Sequence, residues 1–160
     1  MNTKIFCDSA DYKIIKKYSN LKLVQGFTTN PTLMRKAGIK DYKKFGVELL
    51  SHIKQKPISF EVFSDDIKEM EIQAMEIASW GANANVKIPI TNTKGDSTVE
   101  LLKKLSSRGV VCNVTAIFTL DQLSGVLKVL SSETPAILSI FAGRIADVGI
   151  NPISIMRDSV

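Results

Sequence analysis

The chain has 160 residues and a mass of 17.6 kDa, with 44% hydrophobic and 23% charged residues. That is the length of one domain with an ordinary globular mix, and it excludes a disordered, collagen-like or coiled-coil chain. The 21 basic residues exceed the 16 acids by a net +5, but they form no basic run and do not interleave with aromatic residues. Nucleic-acid binding is therefore not expected, whereas a mild positive charge suits an anionic metabolite.

No apolar run approaches the roughly 18–20 residues of a membrane span. Met1-Asn2-Thr3-Lys4 passes straight into a strand-like run without a secretory apolar region. Cys7 and Cys112 lie far apart in strand-like runs, with no CxxC and a single histidine, His52. That excludes a Cys/His zinc site and points to two buried thiols in a reducing compartment, so a cytoplasmic protein with no membrane partner is expected.

In chain order, Lys4–Asp8 reads as a strand and Asp11–Tyr18 as a helix, then Leu23–Phe27 is extended. Helical segments follow at Thr32–Lys36 and Tyr42–Ile53, and Ile58–Phe63 is the third strand. Asp65 and Asp66 suit a helix start, and Ile67, Met70, Ala74, Ile77 and Ala78 form a helical stripe. Asn85–Ile90 is the fourth strand and Thr98–Ser107 the fourth helix, ended by Arg108-Gly109. Val110–Phe118 is extended, Leu120, Leu123, Leu127 and Leu130 give another helical stripe, and Ala136–Phe141 is the sixth strand. Pro152 opens a last helical stretch, Ile153–Val160.

Six β–α repeats of about 25 residues imply parallel strands joined by right-handed crossovers, in one α/β unit over residues 1–160. Neither GxGxxG nor GxxxxGK[ST] is present, which removes the main support for an open dinucleotide-binding sheet. Polar residues instead sit at alternating strand positions or at strand ends: Asp8, Asn30, Glu61, Lys87, Asn113, Thr115 and Ser139. Alternation turns Val86 and Ile88 outward and Lys87 inward. It likewise turns Phe60 and Val62, Val114 and Ala116, and Leu138 and Ile140 outward, leaving Glu61, Asn113, Thr115, Ser139 and Phe141 inside. A polar interior assembled from several strands is the pattern of a (β/α)8 TIM-type barrel, whose chemistry lies at the carboxyl ends of the strands.

Lys87, flanked by Val86 and Ile88, is the residue to explain. A buried amine held neutral is a nucleophile that forms a Schiff base with a carbonyl, whereas a lysine at a strand end reaches solvent or pairs with Glu61. Glu61 is either an acid/base acting through water or that ion-pair partner. Asp8 is a proton acceptor or the cap of the first helix. Asn113 and Thr115 either bind a polyol and position a water or form a satisfied polar layer, and Asn30 either contacts substrate or caps the second helix. Arg144, after Ala142-Gly143 in an expected flexible loop, is a phosphate ligand or a surface arginine. His52 reads as a surface histidine, and Trp80, Met70 and Met75 as helix packing.

The segments FCDSAD, GFTTNPTLM, SFEVFSDD, NVKIPIT, CNVTAIFTLDQ and SIFAGRIAD, in this order and approximate spacing, resemble those of the short transaldolases and fructose-6-phosphate aldolases. The likeness covers essentially the whole chain. It implies a class I aldolase of the pentose phosphate pathway with no metal or organic cofactor, acting on sugar phosphates, and a homo-oligomer is compatible with it. Lys87 would form the Schiff base, Asp8 would take the C4 hydroxyl proton, and Glu61 with Thr115 and a water would shuttle protons. Asn30 and Asn113 would bind hydroxyls or the intermediate, Ser139 and Phe141 would line the pocket, and Arg144 would hold the phosphate.

Glu61, Phe141 and the CNVT string lean towards transaldolase, since fructose-6-phosphate aldolases carry glutamine and tyrosine at the first two positions and lack an equivalent of the third. Ile140 replaces a proline frequent among relatives. The alternatives are aldolase-type cleavage or a non-catalytic sugar-phosphate binder. A closed barrel takes at least about 200 residues, so this chain is expected to be a fragment with about six β–α units, or to have its missing sector supplied by another chain.

Overall fold

A computed structural model describes residues 3–159. Met1 and Asn2, read above as the start of a leaderless N-terminus, and Val160, read as the end of the last helix, lie outside the described residues. The elements alternate as β1 (Ile5–Asp8), α1 (Tyr12–Ser19), β2 (Val24–Thr28), α2 (Pro31–Lys36), α3 (Tyr42–His52), β3 (Ile58–Glu61) and α4 (Ile67–Ala78). They continue through β4 (Ala84–Pro89), α5 (Val99–Ser107), β5 (Cys112–Ile117), α6 (Leu120–Leu127), β6 (Ala136–Ile140), α7 (Ala142–Asp147) and α8 (Ile153–Asp158). All neighbouring strands pair in parallel, and their order in the sheet is their order in the chain. A doubly wound sheet would reverse its order at a switch point. The six strands instead wind in one direction as a curled, partial (β/α)8 barrel.

Local chemistry sets the helix starts. Asp11 accepts from the amides of Lys13 and Ile14, Asn30 from Leu33, Asp41 from Lys44, and Asp66 from Lys68 and Glu69. Thr119 and Gln122 form a reciprocal capping box at α6. Gly109 takes a positive φ of 79° where α5 ends, a conformation in which glycine carries no Cβ penalty. Asp8 caps no helix; that role falls to Asp11, and the Asp8 carboxylate accepts a 2.8 Å hydrogen bond from Thr28 Oγ1.

The main core lies between the outer face of the sheet and the helices. Phe60, Val86, Ile88 and Val114 pack there with Met70, Ile77, Leu102 and Leu105, all essentially buried. Tyr42, Phe60 and Trp80 meet edge to face at the α3–β3–α4 contact. Glycine at position 26 is dictated by the barrel interior. The ring of Phe6, its register partner on β1, lies where a Cβ would stand.

Three expectations are corrected. Residues 142–147 form helix α7, so Arg144 is on a short helix and not in a flexible loop. In α6, Leu123 and Val126 are buried and, beyond the helix, Leu130 packs on the core, while Leu120 and Leu127 are exposed, so the contact face takes only half of the leucine stripe. Cys112 is buried, but Cys7, near the end of edge strand β1, is only half-buried. Among the described residues no helix is long and apolar enough to cross a membrane.

Candidate active site

The register of the central strands aligns Glu61 with Lys87 and Lys87 with Asn113. Three polar side chains of β3, β4 and β5 therefore form one row on the inner face, as strand alternation requires. Pro89 pairs with Thr115, which puts the threonine one step nearer the carboxyl end of the sheet.

Lys87 is only 9% exposed. Its Nζ lies 3.2 Å from Glu61 Oε2 and donates to the Thr29 carbonyl at 3.3 Å. A buried ion pair gains little net stability after its desolvation is counted, so its presence is better explained by chemistry than by folding. Burial pushes the Glu61 carboxyl above the ordinary glutamate range; Lys87 opposes that rise and the Asp8 charge adds to it. Asp8 stands exposed at the end of β1, close enough to be felt electrostatically. Glu61 thus holds a proton more readily than a solvated glutamate.

Above the pair opens a cavity of about 530 Å³ whose wall includes Asn30, Leu33, Glu61, Lys87, Phe141 and Arg144. Five of the sequence-derived residues are thus brought to one hollow. Arg144 Nη1 pairs with Asp147 Oδ2 at 3.1 Å, and its side chain is largely exposed. Asn30 spends its side-chain oxygen on the α2 cap, accepting from Leu33 N at 3.0 Å, which leaves its NH2 group for a ligand.

Asn113, Thr115 and Ser139 lie beside the cavity without being part of its wall. Ser139 Oγ donates to Asn113 Oδ1 at 2.8 Å, and Asn113 Nδ2 donates to Ser59 Oγ at 3.1 Å. The amide is therefore clamped from both ends, with one N–H left over. The Thr115 hydroxyl is buried and has no partner among the described residues, and neither has that of Thr29. Two orphan hydroxyls beside a Lys–Glu pair are suited to holding a water or a substrate hydroxyl.

Sequence reasoning did not single out Ser59, Thr29 or Tyr42, whose hydroxyl donates to the Glu61 carbonyl at 2.9 Å. Ser59 was detectable, because it shares the parity of Glu61 two residues on. Tyr42 was not, since only tertiary packing brings α3 to the end of β3. His52 is exposed, with Nδ1 2.8 Å from the Glu48 carbonyl. Among the described residues no group of three or more His, Cys, Asp or Glu is arranged to hold a metal ion.

A family profile described as transaldolase/fructose-6-phosphate aldolase matches residues 5–159, nearly the whole chain. The chain belongs to that family. A protein named probable transaldolase from Dehalococcoides mccartyi is 39% identical over 157 residues, covering 98% of this chain and 69% of its own length. Probable transaldolases from Streptococcus agalactiae and Lactiplantibacillus plantarum are 35% and 36% identical over 155 residues, with 97% of this chain and 67% of each relative covered. The chain thus spans about two thirds of the length of these relatives. Membership of the transaldolase/fructose-6-phosphate aldolase family carries an aldolase-type enzymatic function and sugar-phosphate substrates.

Proposed function

We propose that residues 1–160 make one barrel-type domain that transfers a dihydroxyacetone unit between sugar phosphates through a Schiff base on Lys87. The setting is the pentose phosphate pathway of the cytoplasm. The observation that carries this reading is the Lys87 amine itself, recessed in the barrel 3.2 Å from the Glu61 carboxylate and opening into the cavity.

In this mechanism Lys87 gives one ammonium proton to Glu61, and the amine so freed adds to C2 of a ketose phosphate. The amine proton passes to the former carbonyl oxygen by way of Glu61 and a water held by Thr115. A proton returned through Glu61 lets that oxygen leave as water, giving the iminium. Asp8 takes the C4 hydroxyl proton, the C3–C4 bond breaks, and its electron pair neutralises the iminium as an enamine. An aldose phosphate departs. The enamine carbon then attacks the aldehyde of an acceptor such as erythrose 4-phosphate, whose oxygen takes the proton from Asp8. Hydrolysis of the new iminium frees sedoheptulose 7-phosphate and the Lys87 amine. Asn30 and Asn113 orient hydroxyls, Phe141 lines the pocket, Ser139 acts beside it by holding the Asn113 amide, and Arg144 binds the phosphate. Glu61 and Phe141 favour transfer over simple cleavage.

Incubation with fructose 6-phosphate, borohydride reduction and peptide mapping tests the reading. A dihydroxyacetone adduct on Lys87 is expected, and sedoheptulose 7-phosphate should appear once erythrose 4-phosphate is added. An adduct without the seven-carbon product favours aldolase-type cleavage. Unmodified Lys87 favours a sugar-phosphate binder and overturns the Schiff-base reading.

A further inference from the structure

Strand β5 does not keep its alternation to the end. Unbroken alternation from Asn113 would turn Ala116 and Phe118 to the helix side and Ile117 to the interior. Observed instead is a register shift in the β5–β6 pairing: Val114 pairs with Leu138 and Ile117 with Ile140, so Thr115 and Ala116 together face Ser139. One extra residue on one strand is a β-bulge. Ala116 sits at φ 58°, and among the described residues it is the only non-glycine with a positive φ. An L-residue enters the left-handed region only at a cost, so the surrounding structure holds it there.

The bulge exchanges the faces of the next two residues. Ile117 is fully buried in the main core with Val114, the position that alternation would have given to residue 118. Phe118 is set against Phe141, ring centroids 5.8 Å apart at 66°, and Phe141 lines the cavity above Lys87. The backbone of Phe118 is also pinned: its N–H donates at 2.8 Å to Gln122 Oε1, the capping-box side chain of α6. Strand pairing continues beside it, with Phe141 N donating to the Ile117 carbonyl at 2.9 Å. A strained bulge, a capped helix start and a strand end thus converge on one aromatic pair at the cavity wall.

We propose that Phe118 is a positioning residue: set against Phe141 by the bulge at Ala116, its half-exposed ring fixes the pose of Phe141 and through it the fit of the sugar chain over Lys87. This rests on the Schiff-base reading and adds a specificity element to it. An edge-to-face neighbour removes one direction of freedom from the Phe141 ring, so the pocket wall meets the substrate already placed. Loss of that support should weaken substrate fit more than it slows the chemistry of an already bound ketose.

The test is borohydride trapping of fructose 6-phosphate on the full chain. Half-saturating ketose concentration and trapping rate at saturation are measured separately for the parent, Phe118→Ala, Phe118→Leu and Phe118→Tyr. Phe118→Ala and Phe118→Leu are expected to raise the half-saturating concentration about three- to tenfold, the scale of an edge-to-face pair, with little change at saturation. Phe118→Tyr should restore the parent value, and Ala116→Gly, which suits the left-handed backbone, should keep it. Phe118→Leu preserves apolar volume and carries the comparison if the alanine variant does not fold. Parent half-saturation in both the leucine and alanine variants overturns this inference alone. An unmodified parent chain overturns it together with the catalytic reading.

Discussion

The hydroxyl of Tyr42, on α3, donates a 2.9 Å hydrogen bond to the main-chain carbonyl of Glu61 at the end of β3. Tyr42 is itself wedged edge-on between Phe63 at 4.5 Å and Trp80 at 5.0 Å. Burial, with the Glu61 charge nearby, raises its phenol well above the ordinary range, so it stays a donor at any working pH. The last residue of β3 is therefore held by a side chain from another element. Tyr42→Phe should lower unfolding free energy by about 1–2 kcal/mol, through the carbonyl left without its donor. It should also slow adduct formation on Lys87 several-fold, because the Glu61 backbone loses its anchor. Urea melts and trapping rates check both, and an unchanged trapping rate would show that the strand end needs no such support.

Glu61 gives a pH-dependent prediction with a definite sign. Its folded-state pKa is raised, chiefly by burial, so between the ordinary value of 4.5 and that higher value the folded state binds more protons than the unfolded chain. Stability from this group is present at low pH and lost as pH rises through that window. Glu61→Gln has no such titration. The stability of the parent relative to Glu61→Gln should therefore shrink as pH climbs from 4.5. If Glu61 shuttles protons, the same variant should form the Lys87 adduct more slowly. A faster adduct would leave Glu61 as an ion-pair partner only. Parallel urea melts and trapping across that pH range measure both effects.

Ser59 is completely buried and is the acceptor for Asn113 Nδ2 at 3.1 Å. Ser59→Ala leaves that amide N–H without a partner in the interior, at a cost of about 1–3 kcal/mol. The amide should then turn away from its clamped pose between β3 and β6. A denaturation midpoint equal to the parent's would mean that a water replaces the serine hydroxyl.

Gly26 tests the barrel interior. An alanine Cβ there would run into the Phe6 ring, which belongs to the neighbouring strand β1. Gly26→Ala should cost about 1–3 kcal/mol through overpacking. Shortening the ring with Phe6→Leu should recover part of that loss in the double variant, giving a coupling energy that independent sites would not show. Additive losses in a thermal or urea melt would place the clash elsewhere.

The alternation of polar and apolar residues in 58–61, 84–89 and 112–115 was enough to place Glu61, Lys87 and Asn113 on one inner row, because each strand keeps its parity up to that layer. It failed at Ala116, where a left-handed residue inserts into the ladder and no glycine or proline marks the spot. Helix starts with Asp or Asn before them were readable, since a capping side chain acts within a few residues. Arg144 was misplaced because Gly143 reads as a loop breaker, while Phe141 N pairing with Ile117 lets α7 begin directly after β6. Tyr42 was invisible because its bond to Glu61 depends on which elements lie side by side, and a local pattern carries no such information.

Trp80 is the sole tryptophan of the 160 residues, and it lies against Tyr42 and Phe60 in the wedge that braces the last turn of backbone before Glu61. Its indole N–H is buried and has no hydrogen-bond partner among the described residues, so its emission should be unusually sensitive to any water admitted there. The protein therefore carries a built-in optical gauge, one fluorophore reporting from behind the carboxylate, that can be followed in real time without a label as ketose is added.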